Sequence, residues 1–387
     1  MPRGALARAV LPPLLAFALA RVVLGAAALS AGVPPSRPGS WCRFDCAHYV
    51  AIALRGYQLG PCPADSHDAG LWCGNTAWLP GYPLLIRAAH LLGVSPRRAA
   101  FLVSGLFAFL TLALLWRVLL PRAARMDLSV GPTAPVALLA LALAAFFPGG
   151  LYAHAIYPLG PFGLATVLSL VEAERGRAVT AGLAGAAAAF TYPPGLVLAP
   201  VLAAGFLLER RAALASRLRR AATGALLTVA GFGAVVVVQH HDTGSWRAFA
   251  LVMGGYQRSV GDPWRTIAER VRPAFHAPFD VTTAVPGAQT LFVLILVASA
   301  AVAVARAAKA GTLGRLDLFV SLQTAAFWLL PLSLGGITEG LHRRETTLLP
   351  LVLLTVRLPP AWQGLLAAAA AALTYPMALL FFRGILI

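Results

Sequence analysis

Long apolar stretches recur along the whole sequence, and they limit the possible fold more than any other feature. Of the 387 residues, 59% are hydrophobic and only 12% are charged, whereas a soluble domain carries about 25% charged residues. A helix of about 20 apolar residues is long enough to cross the hydrocarbon core of a bilayer. The composition therefore predicts an all-α, multi-pass integral membrane protein that forms a single domain over residues 1–387.

The apolar stretches predict about 11 membrane-spanning helices, with a range of about 10 to 12. They lie near residues 9–30, 99–120, 133–150, 158–173, 178–194, 195–209, 221–239, 288–306, 316–336, 346–358 and 361–382. The first stretch has some features of a secretory signal, because Ala18-Leu19-Ala20 is similar to a cleavage site. The many later spans favour an uncleaved first helix with a cytoplasmic N-terminus.

Basic residues in the short connections predict the orientation, because cytoplasmic loops contain an excess of Lys and Arg. The groups that we place on the cytoplasmic side are Arg122 and Arg125, Arg175 and Arg177, Arg210, Arg211, Arg217, Arg219 and Arg220, and Arg306, Lys309 and Arg315. Two long connections, residues 31–98 and 240–287, then lie outside. The net charge of +17 does not indicate nucleic-acid binding, since these arginines separate apolar spans and form no basic face of a soluble fold.

Prolines and aromatic residues predict two local features. The segment 177–209 has basic residues at both ends, and Thr191-Tyr192-Pro193-Pro194-Gly195 lies in its middle. Because proline lacks the N–H that a helix needs, we expect a hairpin of two short spans broken at the outer surface. Residues 78–87, in the first long connection, have the aromatic and apolar composition of a helix that lies in the membrane interface.

The four cysteines, Cys42, Cys46, Cys62 and Cys73, all lie in the first long connection. An even number of cysteines in one external loop predicts one or two disulfides. A zinc site and free thiols are the alternatives, although the spacing does not match a common zinc pattern.

The most polar and aromatic stretch of this loop contains a candidate catalytic acid. It reads W-C-R-F-D-C-A-H-Y-V-A-I-A-L-R-G-Y over residues 41–57 and places Asp45 one helical turn before His48. An acid at this spacing also suits a simple helix cap. His48 has three candidate roles: to orient Asp45, to bind an anion, or to pair with Asp45 on a metal ion. A structural hydrogen bond is the fourth alternative.

The order of the motifs resembles a known family of membrane glycosyltransferases. The stretch at 41–57 resembles the W-D-x-x-H-Y-x-x-I-A-x-x-G-Y segment of the second mannosyltransferase of GPI-anchor synthesis, of the PIG-V type, and of its bacterial relatives. Further similarities, in chain order, are W-L-P-G-Y-P at 78–83, Phe147-Pro148 with Tyr157, Thr191 to Gly195, the region 244–264, and Arg343-Arg344 before Pro350. The similarity covers most of residues 41–350.

The resemblance implies the GT-C architecture and transfer of a sugar, usually mannose, from a polyprenyl-phosphate donor at the extracytoplasmic face. The expected acceptor is a glycolipid, a glycan or a protein, and the expected location is the bacterial inner membrane with the site facing the periplasm. Such transfer needs a base for the acceptor hydroxyl and cations for the departing phosphate. Asp45 is the expected base. The expected donor-phosphate and substrate-binding residues are Arg43, His48, Trp78, Tyr82, Tyr157, Arg258, His342, Arg343 and Arg344. No cofactor is expected, and a divalent metal is not favoured, because a lipid monophosphate carries less charge than a nucleotide diphosphate.

The sequence departs from the family at two motifs. Tyr157-Pro158-Leu159-Gly160-Pro161-Phe162 replaces Y-T-E-S-L-F, and Thr191-Tyr192-Pro193-Pro194-Gly195 replaces T-R-P-x-G, so an acid and an arginine are missing. Two alternatives follow. One is a transporter or flippase of lipid-linked sugars, since broken helices with polar groups also suit transport. The other is a non-catalytic subunit related to the transferases.

Overall fold

The computed structural model describes residues 3–65, 68–125, 133–209, 212–256, 259–275, 280–335 and 340–386. The α-helices, in chain order, are α1 (Arg3–Ser30), α2 (Cys46–Arg55), α3 (Gly81–Leu91), α4 (Pro96–Arg125), α5 (Thr133–Ala145), α6 (Leu151–His154), α7 (Leu159–Glu174), α8 (Ala178–Thr191), α9 (Leu198–Leu207), α10 (Leu214–Thr243), α11 (Ala248–Gly254), α12 (Pro263–Val271), α13 (Val281–Lys309), α14 (Arg315–Ser333), α15 (Leu341–Arg344), α16 (Val352–Thr355) and α17 (Pro360–Phe382). Short 3-10 helices occupy Pro38–Trp41, Pro193–Val197, Arg272–Ala274 and Glu345–Leu351. The strands are β1 (Leu59–Pro61), β2 (Trp72–Gly74), β3 (Ser259–Val260) and β4 (Leu334–Gly335).

Six helices in the described ranges, α1, α4, α10, α13, α14 and α17, are long and apolar enough to cross a membrane. This agrees with the predicted all-α, multi-pass class, whereas the predicted number of about 11 spans is not confirmed. Shorter apolar helices coincide with the predicted spans near 133–150, 178–194 and 195–209.

The predicted span 346–358 has a different structure. It contains the 3-10 helix Glu345–Leu351 followed by the short helix α16, and residues 345–354 are buried throughout. Pro350 lies inside this 3-10 helix and cannot donate a backbone hydrogen bond. The apolar character of this segment therefore reflects packing in the protein interior, as is common for apolar runs of about 10 to 14 residues.

The long helices define two ends of the bundle. Helices α1 and α4 pack antiparallel, because Phe17 contacts Phe109 edge to face while the guanidinium of Arg21 lies 4.7 Å from the ring of Phe101. The end of α1 at Ser30 and the start of α4 at Pro96 therefore lie on the same side. We call this side the loop end, because residues 31–65 and 68–95 lie there.

The opposite side, the arginine-rich end, is held by ion pairs. Asp317 accepts from Arg122 at 2.5 Å and from Arg357 at 2.6 Å, and Glu209 pairs with Arg220 at 3.1 Å and also with Arg315. Glu172 pairs with Arg175 and Arg177. Arginines that the sequence analysis placed on one side thus lie together in the structure. Arg210 and Arg211 lie outside the described residues.

The predicted break in the segment 177–209 is confirmed, whereas its position at the outer surface stays a prediction. Helix α8 ends at Thr191, Tyr192 is extended with φ −150° and ψ 137°, and the 3-10 helix Pro193–Val197 leads into α9. The helix is interrupted where the two prolines remove helical hydrogen-bond donors.

The two long connections pack at the loop end as short helices and two-stranded ribbons. In the first connection, β1 pairs antiparallel with β2, and α2 and α3 pack against each other. The second connection is shorter than predicted, because α10 continues to Thr243 and α13 begins at Val281. Its strand β3 pairs with β4, which follows α14.

Candidate functional site

The backbone before Asp45 is held in an unusual conformation. Phe44 has φ 49° and is the one non-glycine residue in the described ranges with positive φ, a conformation that costs a non-glycine residue about 1–3 kcal/mol. A disulfide between Cys42 and Cys46 encloses this turn. A second disulfide joins Cys62 to Cys73 across β1 and β2. The prediction of disulfides in the first connection is confirmed, and the pairing is now known.

The carboxylate of Asp45 makes an ion pair and does not cap a helix. Asp45 precedes α2, but its side chain makes no capping hydrogen bond. Instead, Oδ2 accepts from Nη1 of Arg343 at 2.5 Å, across a sequence separation of 298 residues. Burial alone lowers the pKa of Arg343, but the Asp45 carboxylate, together with Tyr192, Tyr157 and Tyr152, outweighs that effect and raises the pKa. Arg343 is therefore a permanent cation beside the acid.

This ion pair lines a cavity of about 440 Å³ at the loop end. The polar lining side chains are Asp45, Tyr49, Tyr157, Tyr192, Tyr256, Arg343, Arg344 and Thr347, together with Trp78. Helix α14 and β4 contribute only apolar side chains, namely Phe327, Leu330, Pro331 and Leu334. The cavity thus combines an acid and two arginines with an apolar helix surface.

Asp45 is the one acidic side chain among the described residues that line this cavity. Asp242 lies elsewhere and accepts a hydrogen bond from the backbone N–H of Tyr57 at 2.9 Å. Glu345 is buried and accepts from Nε2 of Gln289 at 2.5 Å. Both acids have structural hydrogen-bond partners away from the cavity.

The structure brings about half of the predicted site residues together. Asp45, Trp78, Tyr157, Arg343 and Arg344 line the cavity. Arg258 lies outside the described residues. The other predicted residues, Arg43, His48, Tyr82 and His342, lie near the cavity without lining it.

His48 stacks on Trp78, with ring centroids 3.6 Å apart and an interplanar angle of 10°. Burial lowers the pKa of His48, although the nearby Asp45 carboxylate opposes the shift. A neutral ring that supports an indole has little attraction for phosphate. His48 therefore fits a role in holding Trp78 at the cavity wall.

Tyr82 is fully buried in the core beside α4. Its hydroxyl lies 2.9 Å from the carbonyl oxygen of Ala100 and 2.7 Å from Oγ of Ser104. These contacts fasten α3 to α4. Tyr82 thus supports the site from below the cavity surface.

His342 belongs to a buried network behind Arg343. Nη2 of Arg270 lies 3.3 Å from Nδ1 of His342, and the hydroxyl of Tyr152 lies 2.8 Å from Nε2. Because arginine can only donate, Nδ1 is the acceptor and the ring proton is on Nε2. Burial, assisted by Arg270 and Arg343, lowers the pKa of His342. The residue is neutral and positions the start of α15.

Arg43 contributes to the cavity through its backbone. Its carbonyl oxygen accepts from the hydroxyl of Tyr157 at 3.0 Å, while Nη2 donates to the carbonyl oxygen of Phe382 at 2.7 Å. The guanidinium of Arg43 lines a different groove. Sequence proximity to Asp45 therefore did not determine where this side chain lies.

The sequence analysis did not identify several lining residues. Tyr49 lies in the 41–57 stretch but was not predicted as a site residue. Tyr192 lies in the predicted proline break, but the break did not indicate that its side chain lines the cavity. Met253, Tyr256, Phe327 and Thr347 come from elements distant in sequence, and no local pattern marks them.

Within the described part of the chain, no group of three or more His, Cys, Asp or Glu side chains is arranged to hold a metal ion. In the comparisons with known proteins, no family model matches the chain and no curated protein matches it.

Proposed function

We propose that this protein is an inverting GT-C-type glycosyltransferase that moves mannose from polyprenyl-phosphate-mannose to a glycolipid, glycan or protein acceptor. One observation carries the proposal: the single acid among the described lining residues pairs with Arg343 in a cavity that also contains Arg344 and an apolar wall. The similarity of the 41–57 stretch to the mannosyltransferase motif supports the same function.

In this mechanism, the acceptor hydroxyl oxygen attacks C1 of the mannose from the side opposite the phosphate. The bond between C1 and the phosphate oxygen breaks, and the carboxylate of Asp45 takes the hydroxyl proton. The polyprenyl phosphate leaves as an anion and needs no proton. Because its charge is that of a monophosphate, guanidinium groups are sufficient partners for it.

The ion pair also predicts how the base becomes available. A carboxylate that is bound to Arg343 competes poorly for a proton. The donor phosphate, which presents more than one oxygen to the guanidinium, would draw Arg343 away from Asp45. Donor binding would therefore release the base beside the reacting sugar.

The apolar side of the cavity suits the lipid part of the donor. Phe327, Leu330 and Pro331 all belong to α14, a helix that is apolar enough to cross a membrane. Leu330 is 43% exposed, so a polyprenyl chain could follow this surface from the bilayer to the cavity.

The finer architecture is part of the same proposal. The six long helices and the shorter apolar helices would form a GT-C bundle of about 11 membrane segments. Residues 31–98 and 240–287 would face the periplasm of a bacterial inner membrane, and the arginine-rich end would face the cytoplasm.

The direct test is transfer of radiolabelled mannose from polyprenyl-phosphate-mannose to membrane acceptors by the purified protein in detergent. We expect label in the acceptor fraction with the native chain and with Asp65→Asn, an exposed acid of the same connection. Asp45→Asn should reduce transfer by about 10²–10⁴-fold. Labelled lipid that crosses liposomes without transfer would favour the flippase alternative, and neither activity would favour a non-catalytic subunit.

A further inference from the structure

A second groove at the loop end is lined by four arginines and is separate from the cavity that contains Asp45. The groove has a volume of about 620 Å³, and its polar side chains are Arg37, Ser40, Arg43, Ser95, Arg97 and Arg98. It shares no lining residue with the first cavity. The proposed transfer reaction does not use it.

The arginines of this groove have no acidic partners among the residues that the structure describes. The groove lining includes no Asp or Glu. Across the ranges that the structure describes, the side chains of Arg37, Arg97 and Arg98 make no ion pair, whereas the arginine-rich end pairs most of its buried arginines with carboxylates. Nε of Arg43 is buried and lacks a hydrogen-bond partner among the described residues.

The local backbone adds to the positive potential. Arg97 and Arg98 belong to the first turn of α4, where free N–H groups and the helix dipole already favour negative charge. Cations at this position are mildly unfavourable, by about 0.3–1 kcal/mol each at an exposed site. An anion bound between the arginines would remove this repulsion.

The position of the groove identifies the kind of anion. It lies between the residues that follow the end of α1 and those that begin α4, and both helices are apolar enough to cross a membrane. Phosphate groups of lipids lie at the level where such helices leave the hydrocarbon. Arginine forks match phosphate oxygens with two parallel hydrogen bonds.

We propose that this groove binds the phosphate of an anionic phospholipid headgroup from the surrounding membrane. The bound lipid would neutralise the arginines at the junction of α1, α4 and the first connection. Since Arg43 lies two residues before Asp45 in the chain, the lipid would also stabilise the base of the first cavity.

The test measures binding of dioctanoyl phosphatidylglycerol to the full chain in detergent by native mass spectrometry. The variant replaces Arg37, Arg97 and Arg98, all exposed, by Gln. The control replaces Arg219, Arg306 and Lys309 by Gln; these exposed residues lie toward the opposite end, and their side chains make no hydrogen bond or ion pair within the described ranges. Both variants lose the same charge.

We expect the groove variant to bind phosphatidylglycerol at least about tenfold more weakly, with the control variant unchanged. Dioctanoyl phosphatidylcholine should bind weakly to all three proteins. Equal weakening in both triple variants, or none in the groove variant, would contradict the site. Complete displacement of the lipid by millimolar inorganic phosphate would assign the groove to free phosphate and overturn the lipid assignment. Thermal unfolding without lipid checks folding, and the single variants Arg37→Gln and Arg98→Gln provide the same comparison if the triple variant does not fold.

Discussion

At the residue scale, the pairing of Asp45 with Arg343 is the central feature, because it couples the proposed base to the proposed phosphate-binding group. Asp45→Asn keeps the shape of the side chain but removes the basic site. We expect turnover to fall by about 10²–10⁴-fold, while donor binding is retained or tightened because Arg343 loses its competitor. Initial rates over a range of donor concentrations measure both effects. Near-normal turnover by a folded variant would contradict the assignment of Asp45.

The second prediction at the residue scale concerns the binding of the donor phosphate by Arg343. Arg343→Ala should weaken use of the lipid donor by about tenfold or more, since it removes a charge-assisted fork. Arg343→Lys should restore donor use only in part, because an ammonium group cannot form two parallel hydrogen bonds. Donor kinetics are compared with those of Arg55→Ala, an exposed arginine at the end of α2. If the donor kinetics of Arg343→Ala equal those of Arg55→Ala, Arg343 has a structural role and does not bind the donor.

At the scale of elements, the two disulfides have different expected effects. Loop-closure entropy predicts a loss of about 2 kcal/mol for Cys42–Cys46 and about 3 kcal/mol for Cys62–Cys73 when both partners become Ser. Turnover should fall more when Cys42–Cys46 is removed than when Cys62–Cys73 is removed, because the first bridge encloses Phe44 and Asp45. Thermal unfolding measures the loss of stability, and transfer assays measure the loss of turnover. Equal turnover in both variants would show that the first bridge does not position the base.

The contact between α3 and the proline break provides another prediction. A Cβ at Gly81 would lie 2.8 Å from Cα of Thr191 and 3.0 Å from the carbonyl oxygen of Phe190. Gly81→Ala must therefore displace the end of α8 beside the cavity, at a cost of about 1–3 kcal/mol. Gly233→Ala, in open space on α10, is the control and should not destabilise the protein. Equal unfolding temperatures for both variants would show that α8 can shift to accommodate the added methyl group without loss of stability.

At the scale of the whole molecule, the structure predicts on which side of the membrane the C-terminal end of α17 lies. The ring of Phe382 contacts Trp41 edge to face, with ring centroids 5.0 Å apart, so α17 ends at the loop end. The proposed orientation therefore places the C-terminus outside and the end of α13 at Lys309 inside. A phosphatase fused after the last residue should be active and a fluorescent protein there should be dark, with the reverse after Lys309. The opposite pattern would invert the proposed topology.

Local sequence patterns predicted the helical class, the long apolar helices and the presence of disulfides, but not the number of spans or the disulfide pairing. Helical hydrogen bonds join residues four apart, so apolar runs and prolines identify spans and breaks such as the one at Thr191. Cysteine clustering predicted disulfides, and the aromatic stretch around Asp45 identified an acid that the structure places in a cavity.

Tertiary structure alone decided which side chains meet. Asp45 and Arg343 are 298 residues apart, and no periodic pattern relates such positions. Residues that are close in sequence can also lie in different sites. Arg43 lines the basic groove and Asp45 lines the cavity, because the turn at Phe44 points their side chains in different directions. Tyr82 became a buried contact between α3 and α4. Local hydrogen bonding determines helices, but a site is determined by how the helices pack, and that depends on contacts across the whole chain.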